Sequence, residues 1–226
     1  MRISLRAAVY LVGLVFGFAA ATHAQMDEHA YVVSYIEVIP SETSAAIDLL
    51  QHHAEASRND DGNALYQVVQ RIGRPSHFAI IETWDSAEAQ AAHAENEHTQ
   101  GFRAALDPLL YSPYDERMHT NLHVTDGSIS AGSIFGLTHI DFAPTYLEEG
   151  LEYVAQLVMS SRHHDGAVRF DVLTQANRSN HMTVVESWES AGAQEAHAVS
   201  EDAIEFRSAA HSLMGALYDE RLYRAL

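Results

Sequence analysis

The 226-residue chain contains no cysteine and no lysine. The first absence excludes disulfides, thiolate nucleophiles, iron–sulfur ligation and a lipoprotein anchor. The second excludes Schiff-base catalysis and Walker-type phosphate loops. Positive charge is scarce altogether: 13 arginines face 31 acidic residues, for a net charge of −18. A chain so acidic repels phosphate backbones and anionic lipid, so nucleic acid is not an expected partner. No G-x-S-x-G elbow and no H-E-x-x-H helix occurs, which removes the common hydrolase templates.

One apolar run, Ala7–Ala21, follows Arg2 and Arg6 and leads into THAQ. It is shorter than the roughly 20 residues a spanning helix needs. With small residues at Thr22 and Ala24, it reads as a cleaved secretory signal over 1–24. The mature protein is then expected in the periplasm or secreted, with no membrane attachment. Its net charge becomes −20, from 11 arginines against 31 acids once Arg2 and Arg6 leave. Hydrophobic residues make up 47% of the chain, the proportion of a globular protein rather than a disordered one.

What the sequence does contain, it contains twice. ETWDSAEAQAAHAENE (Glu82–Glu97) returns as ESWESAGAQEAHAVSE (Glu186–Glu201). The two tryptophans set the offset, 188 − 84 = 104, and the alignment runs on without a gap. Pro40 meets Pro144, Asp61-Gly62 meets Asp165-Gly166, and Phe102-Arg103 meets Phe206-Arg207. Tyr114-Asp115-Glu116-Arg117 meets Tyr218-Asp219-Glu220-Arg221. The chain is a duplication of a compact unit. One domain is expected over 25–125 and a second over 133–226, joined by a Gly/Ser-rich linker at 126–132.

Each copy reads strand, helix, strand, strand, helix, strand. Ser41 or Ser44 is expected to cap the first helix, and Ser86 and Ser190 the Ala-rich second one. This order implies an α+β fold of two ferredoxin-like βαββαβ sheets, each covered by helices on one face. Phe78, Ile80, Glu82 and Trp84 alternate with His77, Ala79, Ile81 and Thr83, and both sets are substantially apolar. Both faces therefore need covering, and a tandem copy supplies the second cover within one chain.

Gln90, His93 and Glu97 sit at i, i+3 and i+7, and Gln194, His197 and Glu201 repeat that stripe. A glutamate four residues from a histidine would favour the imidazolium and hold its ring. No metal site is expected. His93 and His98, five apart, do not share a helical face, and the second copy has Asp202 in place of His98. The pairs His52-His53 and His163-His164 are not repeat equivalents, and read as solvated helix or turn histidines.

The run E-x-W…A-x-x-x-H followed by F-R and L-x-x-L resembles the antibiotic-biosynthesis-monooxygenase domain of the dimeric α+β barrel superfamily, in both halves. The resemblance implies an intrachain barrel and a cofactor-independent monooxygenase acting with dioxygen on a phenol, quinol or polyketide-like aromatic. His93 and His197 would carry protons, and Arg103 and Arg207 would stabilise charge. Trp84, Trp188, Gln90 and Gln194 would contact substrate, with no cofactor-binding residue and no metal. Heme degraders of the superfamily keep a Trp–His pair where this chain has His93 and Arg103, or His197 and Arg207. Heme therefore enters only through the rival reading, a barrel that binds an aromatic or heme without turning it over. A homodimer is left open.

Overall fold

The computed structural model describes residues 28–125 and 132–226, so the expected leader and most of the expected linker lie outside the described residues. Copy 1 runs β1 (Ala30–Glu37), α1 (Thr43–Ser57), β2 (Asn63–Arg71), β3 (His77–Trp84), α2 (Ala87–Glu95), α3 (Glu97–Leu106) and β4 (Asp115–His123). Copy 2 repeats it as β5 (Ile134–Asp141), α4 (Leu147–Ser161), β6 (Ala167–Gln175), β7 (Arg178–Trp188), α5 (Ala191–Ala198), α6 (Glu201–Ala210) and β8 (Asp219–Ala225).

The eight strands close into one antiparallel barrel in the order β1-β3-β2-β8-β5-β7-β6-β4. Within each copy the sheet has the ferredoxin-like order, β4-β1-β3-β2 and β8-β5-β7-β6. The copies join where β4 pairs with β6 and β8 with β2. Among the described residues every strand thus has two neighbours, which leaves no sheet edge there to template association.

Strand alternation divides the core into three. Phe78, Ile80 and Trp84 face the helices of copy 1, as Met182, Val184 and Trp188 face those of copy 2. Ala79 and Ile81 point into the barrel, where they meet Leu137, Val185 and Tyr223. The interior also brings Tyr35 to His139, ring centroids 5.2 Å apart. These two residues are repeat equivalents (35 + 104 = 139), so their contact marks the pseudo-twofold axis.

Ser86 and Ser190 cap as expected: their hydroxyls accept from the backbone N–H of Ala89 at 3.1 Å and Ala193 at 3.2 Å. Helix α1 departs from expectation. A 3-10 turn over Pro40–Glu42 precedes it, and it begins at Thr43 with neither Ser41 nor Ser44 as its cap. Pro40 fixes the backbone for that turn, and the Thr43 hydroxyl donates to its carbonyl at 2.9 Å.

The larger departure lies at the end of α2. The stripe from Gln90 to Glu97 does not exist, because the helix stops at Glu95 and a new one starts at Glu97. Asn96 between them is extended, with φ −60° and ψ 146°. Ser200 at the equivalent position (96 + 104) is also extended, and its hydroxyl accepts from Ala203 N–H at 3.3 Å. Asn and Ser are strong helix starters, and here each breaks one helix to begin another.

The turn between α1 and β2, and its copy between α4 and β6, uses Gly62 and Gly166 at φ +78°. A Cβ at either would also come within 2.7 Å or 2.6 Å of the Ala89 or Ala193 methyl. Glycine therefore allows this turn to press against the start of α2 or α5, and it sets Asp60 and His164 beside the helix pair.

Candidate active site

Trp84 and Trp188 end their strands with no exposed surface. Each indole N–H donates to the glutamate two residues earlier on the same face: Trp84 to Glu82 Oε2 at 2.9 Å, Trp188 to Glu186 Oε2 at 3.0 Å. Both glutamates are buried within an otherwise apolar stripe. Burial raises each carboxyl from an ordinary 4.5 to about 7, against the lowering effect of the indole hydrogen bond; for Glu186 the Glu220 carboxylate adds to the rise. Such an acid changes charge near neutral pH, a property of proton-transfer groups. The sequence reading assigned these glutamates no role. The signal was an acid inside F-x-I-x-E-x-W and M-x-V-x-E-x-W, on the face turned to the helices.

The face of each indole carries a histidine. His93 stacks on Trp84 with centroids 4.5 Å apart, and His197 on Trp188 at 4.7 Å. The tryptophans serve as floors beneath imidazoles. Burial lowers both histidines, His197 to about 4 with help from His164, so each ring is a neutral proton acceptor at pH 7.

The glutamates expected to hold these rings do not. Glu97 and Glu201 are exposed on the far side of the helix break. In copy 1 the partner is Asp60, whose Oδ2 meets His93 Nδ1 at 2.7 Å and His98 Nε2 at 3.0 Å. Burial alone would raise the Asp60 carboxyl, but the His93 and His98 hydrogen bonds outweigh it and hold it below the usual range. The break at Asn96 turns His98 back beside His93, which removes the geometric reason for excluding a shared site. His53, expected in solvent, is buried: it stacks on Phe102 at 3.9 Å and faces His98 Nδ1 at 3.4 Å.

Copy 2 uses the same three positions with two identities exchanged. Asp60 and His98 correspond to His164 and Asp202 (60 + 104, 98 + 104). His164 Nε2 meets Asp202 Oδ2 at 3.0 Å, and its Nδ1 meets His197 Nδ1 at 3.0 Å. His197 Nε2 then faces Glu186 Oε2 at 3.7 Å. A continuous chain of acid–base groups runs from the surface, Asp202–His164–His197–Glu186, to the sheet.

His197 also divides two spaces. Outside it is a cleft of about 360 Å³ lined by His164, Ala193, Ala196 and Ser200. Inside is a small cavity of about 10 Å³ bounded by Thr138, Glu186, Arg207, Tyr218 and Glu220, the room of one water molecule. Larger side chains occupy three of the matching positions in copy 1: Tyr66 for Phe170, Thr99 for Ala203 and Ile80 for Val184.

The remaining expected residues fall unequally. Arg207 lines the inner cavity and donates to the Ala198 carbonyl. Arg103 is ion-paired with Glu116 and lies 3.5 Å over the Tyr114 ring, so its charge is already matched. Gln194 is buried and donates to Glu220 Oε1 at 3.1 Å, whereas Gln90 is only half-buried. Arg117 and Arg221 pair with Asp115 and Asp219 and approach Tyr35 in the barrel interior.

Comparison with known proteins is consistent across sequence and structure. The family model described as antibiotic biosynthesis monooxygenase matches residues 30–105 and again 134–209. YcnE of Bacillus subtilis, provisionally named a monooxygenase, is 33% identical over 82 residues, which cover 36% of this chain and 86% of that protein. A provisionally named monooxygenase of Fusobacterium nucleatum superimposes with a TM-score of 0.77 at 12% identity, covering 88% of this chain and 92% of that one. An anthrone oxidase-like protein gives 0.70 at 14% identity, over 88% of this chain and 92% of that one. At these identities the structural likenesses show the shared fold.

Proposed function

The chain belongs, in both halves, to the antibiotic biosynthesis monooxygenase family, and from that membership we propose that it oxidises an electron-rich phenol, quinol or polyketide-like aromatic with dioxygen, without a dissociable cofactor. We place the reaction in copy 2. The observation that carries this is the neutral His197, stacked on Trp188 between an outer cleft and an inner cavity, with the Glu186 carboxyl 3.7 Å from its Nε2.

In this reading His197 Nε2 accepts the acidic proton of the substrate. The resulting anion is the electron donor to dioxygen. One oxygen atom becomes a new carbonyl, the substrate loses two hydrogens in all (its acidic proton and one from carbon), and the other oxygen leaves with two hydrogens as water. Ionised Glu186 stabilises the imidazolium while it exists, and His164 with Asp202 connects it to solvent. Arg207 faces the developing oxyanion. Its counterpart Arg103 is committed to Glu116, and this favours copy 2 over copy 1. The small inner cavity keeps bulk water from the buried Glu186–His197 pair. The N-terminal segment supports secretion or a periplasmic location for the mature protein.

The test is oxygen uptake with a panel of anthrones, quinols and naphthols. His197→Ala is expected to abolish uptake while the variant stays folded and still binds the aromatic by thermal shift. Unchanged uptake overturns the assignment, and binding without uptake in the wild type establishes the binding-barrel reading instead.

A further inference from the structure

Copy 1 brings together more donor atoms than its hydrogen bonds require. Asp60 comes from the turn after α1, His93 from the end of α2 and His98 from the start of α3. His93 Nδ1, His98 Nε2 and a carboxylate oxygen of Asp60 all lie within 4.8 Å of one another. Both rings direct those nitrogens at the same atom, Asp60 Oδ2, at 2.7 Å and 3.0 Å. Around an ion with bonds of about 2.0–2.1 Å, tetrahedral donors stand roughly 3.3 Å apart. The observed separations reach that spacing by small rotations of side chains already aimed at one point.

We propose that Asp60, His93 and His98 bind one divalent transition-metal ion of the zinc or cobalt type. Two imidazoles and one carboxylate suit such borderline ions better than magnesium or calcium, which take oxygen donors. The site has the outer shell that metal-bound histidines have: His53 stands 3.4 Å behind His98 on the nitrogen away from Asp60, and Trp84 supports the His93 ring. The side chains of Asp60 and His98 keep 16% and 30% of their exposure, so a fourth position opens to solvent. The surrounding acidity of the chain favours cation approach.

Copy 2 is the built-in control. It has the same three residue types, yet His164 meets Asp202 through Nε2 and His197 through Nδ1. The two partners lie on opposite sides of one ring, and no single ion reaches all three. Duplication followed by the exchange of Asp and His has left one copy arranged as a chelate and the other as a relay.

The mature protein, stripped with a chelator, would be titrated with Zn2+ by calorimetry and with Co2+ by visible absorption. One ion per chain is expected, with cobalt bands of a four-coordinate nitrogen–oxygen site and a rise in melting temperature. Asp60→Asn and His98→Asn should each lose that site at least tenfold in affinity, with circular dichroism unchanged; both positions are partly exposed, which spares the buried His93. Asp202→Asn should retain it. Unaltered binding in both copy-1 variants, equal loss in Asp202→Asn, or only weak binding of several ions overturns the proposal. Oxygen uptake by His98→Asn is read separately and is expected to be unchanged, so failure of the metal site and failure of the proposed reaction give different results.

Discussion

His197 Nε2 stands 3.7 Å from Glu186 Oε2, and both side chains are more than nine-tenths buried. Neither group holds its ordinary proton affinity: the acid titrates near 7 and the base near 4. At neutral pH the pair is poised with an uncharged ring beside a half-ionised carboxyl.

Glu186→Gln tests that pairing through pH. Oxygen uptake by the wild type should rise through about pH 7 as Glu186 ionises and can stabilise the imidazolium. The glutamine variant keeps an acceptor for the Trp188 N–H but cannot ionise. Its uptake should be lower and should lack the limb near pH 7. A persistent limb would assign that titration to another group.

Gly136→Ala tests how the carboxylate is placed. Gly136 pairs across the sheet with Glu186, and a Cβ there would run into Glu186 Oε1. The equivalent residue in copy 1 is Val32, paired with Glu82 (32 + 104 = 136), so the strand itself accepts a side chain at this position. The variant should fold, with kcat/KM reduced roughly 10- to 100-fold by displacement of Glu186. Full activity would remove Glu186 from the mechanism.

Glu82→Gln tests the cost of burying the same acid where no reaction is placed. The folded protein keeps the Glu82 proton up to about pH 7, whereas an unfolded chain loses it near 4.5. Raising pH through that window therefore costs stability, about 3 kcal/mol once complete. The buried histidines act oppositely. His53 at about 3 and His119 at about 4 resist a proton that the unfolded chain accepts below 6.5, and their contribution is lost as pH falls. The difference between variant and wild type isolates Glu82: near zero at pH 4, and in favour of glutamine above pH 8. Denaturant titrations at both pH values measure it, and a constant difference would contradict the raised affinity. Oxygen uptake should not change.

Much of this molecule was legible because duplication writes its constraints twice. The offset of 104 residues, the strand alternation around Trp84 and Trp188 and the capping serines lead directly to paired ferredoxin-like sheets. The site was less accessible. Asp60 is 33 residues from His93 in the chain, and nothing local announces that Gly62 folds its turn onto α2. Asn96 and Ser200 did offer a signal, a helix-starting residue at the same place in both copies, but an Ala-rich helix conceals a one-residue break. Extending the stripe through that break made Glu97 the apparent partner of His93 and kept His98 apart from it. The glutamates of the E-x-W motif were visible; their affinity for protons depends on burial that only the closed barrel supplies.

The barrel closes because β4 spans from β1 to β6 and β8 from β5 to β2. Were the halves separate identical chains, every substitution would appear on both sides of the axis, and two different sites could not coexist. A single covalent thread removes that constraint. The halves are an obligate heterodimer with fixed one-to-one stoichiometry, inherited together and free to specialise, and Tyr35 facing His139 across the axis is a visible result of that freedom.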